Sequence, residues 1–134
     1  QLNAQHVPLS QLLQESDFVS LHVPLSTETT HLLGAAEFSQ MKRTAVLVNT
    51  ARGEIVDQDA SIAALQNKDI YAAGLDVCTP EPLPEDSPLR NFENCLILPH
   101  IGSATIAARN AMAERAARNI LAGIENAALP YPVN

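Results

Sequence analysis

The run Thr44-Ala45-Val46-Leu47-Val48-Asn49, followed by Thr50-Ala51-Arg52-Gly53, decides the fold. Its apolar residues are continuous rather than alternating, the pattern of a strand buried on both faces of a parallel sheet. It breaks into polar residues and a glycine where such a strand would end. Residues 17–22, 71–77 and 95–99 share the pattern, and their Val, Ile, Leu and Phe content with polar or proline boundaries marks them as strands. Helical stretches lie before and between them at 9–15, 35–41 and 58–66, the last with Asp57 or Asp59 placed to cap it. Helices that join consecutive strands make a parallel sheet with right-handed crossovers the economical arrangement, so the class is α/β.

Working outward, a helical stretch from about 104 to 122 carries Ile106, Ala113, Ala117 and Ile120, with Ile124 just beyond, at helical spacing, and Glu114 and Arg118 form an i,i+4 pair on the other side. The Ala-rich stripe allows close packing on the sheet, with Ser103 as an N-cap candidate and Gly123 as a candidate stop. Residues 79–88 hold Pro80, Pro82, Pro84 and Pro88 and form neither helix nor central strand, which predicts a stiff, exposed loop.

The composition bounds the function. The 134 residues suffice for a core without disulfide or metal staples, and 46% hydrophobic against 17% charged residues excludes a disordered chain. A net charge of −7 from scattered residues argues against a nucleic-acid partner. The apolar runs fall far short of the roughly 20 residues that span a bilayer. Cys78 and Cys95 read as buried, reduced thiols of an intracellular, cytoplasmic protein. His6, His22, His31 and His100 have no metal-ligand spacing, so no metal site is expected, and no Gly-x-Ser-x-Gly turn supports a serine nucleophile.

Ligands of open parallel sheets collect outside the carboxyl ends of the strands. The residues there are His22-Val23-Pro24-Leu25-Ser26-Thr27, then Asn49 to Gly53, then Asp76 and Glu81, then His100-Ile101-Gly102-Ser103. Together they supply a cation, two carboxylates and an imidazole, which suits anion binding with acid–base chemistry. Arg52 can hold a carboxylate through two hydrogen bonds, and His100 exchanges protons near neutral pH. Bland readings stand beside these: Arg52 as a turn cation paired with Glu54 or Asp57, His100 as a satisfied core or capping histidine, Glu81 as solvated, Asp76 as a turn cap.

At these residues the sequence resembles the D-isomer-specific 2-hydroxyacid dehydrogenases. The matching runs are Leu47-Val48-Asn49-Thr50-Ala51-Arg52-Gly53, Ala73-Gly74-Leu75-Asp76-Val77 and Leu98-Pro99-His100-Ile101-Gly102-Ser103. Cys78-Thr79-Pro80-Glu81-Pro82-Leu83-Pro84 and the run from Asn94 to Thr105 are most similar to the glyoxylate/hydroxypyruvate reductases among them. The resemblance implies reduction of a 2-keto acid, glyoxylate or hydroxypyruvate, to the D-2-hydroxy acid by hydride from NAD(P)H, with NAD or NADP as cofactor. The family's catalytic Arg, Glu and His fall on Arg52, Glu81 and His100. By that analogy His100 donates the proton, Glu81 orients it and keeps it protonated, and Arg52 and His100 bind the substrate. Pro24, Thr50, Ala51, Asp76 and Gly102 correspond to cofactor-binding positions, and family members are expected to be homodimers.

The family's Gly-x-Gly-x-x-Gly phosphate loop is not found among Gly34, Gly53, Gly74, Gly102 and Gly123. Residues 1–134 are therefore expected to be a partial NAD(P)-binding domain: the C-terminal half of a Rossmann-like, doubly wound, three-layer α/β/α sheet, without the phosphate-loop half and the substrate domain. Such a half should leave a strand edge unpaired and an apolar face uncovered, and should be inactive alone. The competing expectation is a non-catalytic NAD-binding or corepressor-type module on the same fold; retention of Arg52, Glu81 and His100 together favours the enzyme.

Overall fold

A computed structural model describes residues 4–132 and divides into two compact units, Gln1–His100 and Ile101–Asn134. In the first unit the elements run α1 (Leu9–Glu15), β1 (Phe18–Leu21), α2 (Ala35–Phe38), β2 (Val46–Asn49), α3 (Gln58–Gln66), β3 (Ala72–Leu75) and β4 (Cys95–Ile97). The four strands pair in parallel in the order β1-β2-β3-β4. This is the α/β arrangement expected from the apolar runs, with each strand shorter than its run at one or both ends.

The register sets the core. Val19, Leu47, Ala73 and Cys95 stand side by side, as do Leu21, Asn49, Leu75 and Ile97. Leu13 of α1, Phe38 of α2 and Ala64 and Leu65 of α3 join the buried members of these rows, with Leu33, Ile55, Ile70, Leu83 and Leu89, in one cluster. Leu13, Leu33, Leu47, Ile55, Ile70 and Leu89 are fully buried, each worth about 1.5–3 kcal/mol over an exposed side chain. The other sheet face differs from the two-sided burial that the runs suggest. Phe18 is 75% and Leu96 63% exposed, and Val46, Val48, Ala72 and Gly74 are half-buried. A continuous apolar run reports that both faces are apolar; it does not report that both are covered.

Local chemistry explains the helix ends. Asp57 caps α3 by accepting from the Ala60 N–H at 3.1 Å, while Ser61, Ala64 and Leu65 supply the buried stripe. The helix stops where Lys68 takes the left-handed conformation and the N–H groups of Lys68 and Asp69 return to the carbonyls of Leu65 and Ala64.

In the second unit, α4 spans Ile106–Ile124 and none of its 19 residues is buried. Its N-cap is Thr105, whose hydroxyl accepts from the Ala108 N–H at 3.1 Å, and not Ser103. Ser103 is used up in the turn that Ala104 closes onto the Ile101 carbonyl. Gly123 stays helical, and Asn126 supplies the left-handed residue that ends the helix. Beyond it Asn119 pairs with both backbone groups of Tyr131, and the Arg115 guanidinium lies 5.2 Å from that ring.

Candidate active site

The pairing of β3 with β4 continues past the strands: Leu98 N–H donates to the Leu75 carbonyl at 2.8 Å and His100 N–H to the Asp76 carbonyl at 3.0 Å. This carries His100 to the sheet's carboxyl edge, where it adopts a left-handed backbone with φ of 54°. A non-glycine residue there is strained by roughly 1–3 kcal/mol, and such strain concentrates at functional positions. Its Nδ1 lies 2.6 Å from Glu81 Oε1, with the two side chains 46% and 43% exposed. An ionised carboxylate only accepts, so this contact places a proton on Nδ1 and leaves Nε2 as the ring atom that can give or take one. Glu81 is thus paired and not simply solvated, and His100 is neither a core residue nor a helix cap.

Asp76 is 5% exposed and follows β3 directly, its N–H donating to the Asn49 carbonyl. It lines a cavity of about 530 Å³ with Cys78, Glu81, Leu83, Arg90 and His100. The loop of residues 79–88 that carries Glu81 is not wholly exposed, because Leu83 and Ser87 are buried and Leu83 joins the core. Its start is tied down by the Thr79 N–H, which donates to Gln58 Oε1 at the head of α3 at 3.0 Å.

A second cavity, of about 590 Å³, lies at the ends of β1 and β2 and is lined by His22, Pro24, Leu25, Thr50, Ala51 and Arg52 with Val23. Among the described residues its wall holds donors and no carboxylate, the donor set of an anion or ribose-phosphate site. Arg52 is exposed, and its Nη1 donates to the Ala51 carbonyl at 2.6 Å. Among the described residues it pairs with neither Glu54 nor Asp57. The structure thus gathers Asp76, Glu81 and His100 around one cavity and Pro24, Thr50, Ala51 and Arg52 around the other. Gly102 lies in the exposed turn of the second unit.

Three residues have supporting roles that the sequence reading does not assign. Asn49, 1% exposed, donates from Nδ2 to the Arg52 carbonyl at 2.9 Å and accepts the Ala51 N–H on Oδ1 at 3.0 Å. Its side chain therefore folds the loop that presents Arg52. The signal was available, since an Asn in line with Leu47 on a buried row needs partners for its amide. At Gly53 an added Cβ would meet the Cys78 carbonyl oxygen at 2.1 Å and its carbon at 2.3 Å, so only glycine admits this approach. Arg90 is the third.

Burial pushes the Cys78 thiol up, the Glu81 charge adds to this, and Arg90 opposes it. Burial, with a smaller contribution from Cys78, pushes Cys95 up to about 11. Both thiols are unsuited to act as thiolates at neutral pH. Among the described residues no helix is long and apolar enough to cross a membrane.

Comparison with known proteins agrees with this architecture. The family described as D-isomer specific 2-hydroxyacid dehydrogenase, NAD binding domain, matches residues 1–102. A glyoxylate/hydroxypyruvate reductase B of Klebsiella pneumoniae is 54% identical over 119 residues, which cover 89% of this chain and 37% of that protein. The crystal structure of the TT0316 protein from Thermus thermophilus superposes with a TM-score of 0.95 at 47% identity, covering 99% of this chain and 42% of that one. An NADPH-dependent glyoxylate/hydroxypyruvate reductase from Sinorhizobium meliloti, solved with NADP and malonate, gives a TM-score of 0.88 at 36% identity over 96% of this chain and 40% of its own. The chain spans well under half the length of these relatives. With its parallel sheet and two strand-end cavities, it belongs to the D-isomer specific 2-hydroxyacid dehydrogenase family through the NAD binding domain.

Proposed function

We propose that this chain carries the acid–base half of a reductase that converts a 2-keto acid, glyoxylate or hydroxypyruvate, to the D-2-hydroxy acid. The observation that carries the reading is the 2.6 Å contact between His100 Nδ1 and Glu81 Oε1 at a strand-end cavity. The names of the Klebsiella and Sinorhizobium relatives support the substrate class.

The nicotinamide cofactor, NAD or NADP, supplies the hydride when bound. Pro24, Thr50 and Ala51 would hold it, their cavity offering small side chains and donors without an opposing carboxylate among the described residues; Asp76 and Gly102 complete the set by resemblance. His100 gives its Nε2 proton to the substrate's carbonyl oxygen, and Glu81 keeps the ring oriented. Arg52 binds the substrate carboxylate through its planar fork. The phosphate loop and the domain that closes over the substrate are proposed to come from sequence outside residues 1–134, consistent with the missing Gly-x-Gly-x-x-Gly run.

The test is oxidation of NADH or NADPH with glyoxylate and with hydroxypyruvate by the intact protein that carries this chain. Turnover is expected, and His100→Ala should lower it about 10²- to 10⁴-fold, the usual worth of a positioned acid. Near-normal turnover of that variant would overturn the mechanism. Residues 1–134 alone should bind NADH poorly and reduce no glyoxylate; turnover by them would overturn the division of labour.

A further inference from the structure

We propose that Arg90 is a positioning residue for the acid–base pair, holding the Glu81 loop so that its carboxylate stays on His100; this rests on the function proposed above. Pro80, Pro82 and Pro84 have no N–H to donate, so the middle of this loop has fewer backbone donors to fix it and its carbonyls carry more of that task. Arg90 supplies the fixing. Its Nε donates to the Pro84 carbonyl at 2.9 Å and its Nη2 to the Leu83 carbonyl at 2.8 Å, one planar fork closed on two consecutive peptide groups.

The fork is itself anchored. Arg90 sits in a 3-10 turn, Pro88–Asn91, whose Leu89 is fully buried, and its own N–H donates to the Ser87 carbonyl at 3.1 Å. Leu83, two residues from Glu81, is 8% exposed and packed into the core. Links thus run from the core through Leu89 and Arg90 to Leu83 and Pro84, then to Glu81 and the imidazole. On its other side His100 is held by the Asp76 carbonyl. Two hydrogen bonds from one rigid group specify direction as well as distance, which a flexible ammonium cannot copy. A carboxylate displaced by about 1 Å orients the ring poorly, a loss that falls on the chemical step.

The intact protein tests this with Arg90→Lys, which keeps the charge and most of the stem but loses the fork, and with Arg90→Met. Each should lower kcat about tenfold, while KM for the keto acid and Kd for NADH stay within about twofold, the signature of lost transition-state stabilisation. In a Glu81→Gln background, Arg90→Lys should cost less than about twofold more, because residues that act through one another are not additive. A merely structural Arg90 would multiply with Glu81→Gln, and a substrate-binding Arg90 would raise KM with kcat intact. Either result overturns the proposal, as does wild-type kinetics. If Arg90→Met does not fold, Arg90→Lys with an unchanged melting curve decides. If His100→Ala and Glu81→Gln both leave turnover at wild type, the function itself is wrong and this inference falls with it. If they collapse turnover while Arg90→Lys does not, only this inference fails.

Discussion

The cavity at the ends of β3 and β4 and the cavity at the ends of β1 and β2 sit on one sheet edge but are built differently. The first is made by side chains: a carboxylate on an imidazole, brought there by a proline-rich loop and a guanidinium clamp. The second is made by short turns, small residues and a single guanidinium, its shape fixed by the amide of Asn49. Moving a proton needs titratable groups held against each other, whereas seating a large anionic ligand needs donors and room. The contrast predicts that damage to the first cavity shows in turnover and damage to the second in binding.

The largest expected effect separates them most sharply. His100→Ala should cut kcat by about two to four orders of magnitude while Kd for NADH, read by fluorescence titration, stays unchanged; loss of cofactor binding would break the distinction. Arg52→Lys should raise KM for the keto acid about 10- to 100-fold, the worth of a charged hydrogen bond lost from a bidentate pair, with a smaller change in kcat. Gly53→Ala should lower stability by about 1–3 kcal/mol through the clash with Cys78, visible as a lower melting temperature, and should disturb both cavities together. The smallest effect is expected from Cys78→Ala, with turnover within about twofold of wild type. With its thiol raised to about 11, Cys95 should alkylate slowly at neutral pH and faster up to that value, since only the thiolate reacts; rapid alkylation at pH 7 would contradict its burial.

Much of this is legible in the residues. The four strands, α1 and α3 stand where apolar runs and the Asp57 cap put them, because those signals are local. The strand-end rule picks out Glu81 and His100 without knowledge of any contact between them, although 19 positions of proline-rich chain and a strand separate them. What stays hidden depends on partners distant in sequence or on choices between similar local signals. The clamp by Arg90 requires knowing where two carbonyls point. The caps of α4 turn on Thr105 outcompeting Ser103, and Asn126 outcompeting Gly123, for one helix end each. The open sheet face, with Phe18 and Leu96 exposed, cannot be told from a covered one by hydrophobicity alone.

Gly53 has a consequence for how such a site can change. The two nearest atoms that a side chain here would meet belong to the Cys78 carbonyl, main chain against main chain, with the Thr79 hydroxyl next. The Thr79 hydroxyl can turn away, but a peptide group has no rotamers, so the Cys78 side of this joint cannot relax by side-chain repacking. The loop that presents the guanidinium and the strand exit that leads to the carboxylate are therefore locked together like two parts of one casting. Exchanges among the residues that line either cavity therefore leave the spacing between the two unchanged.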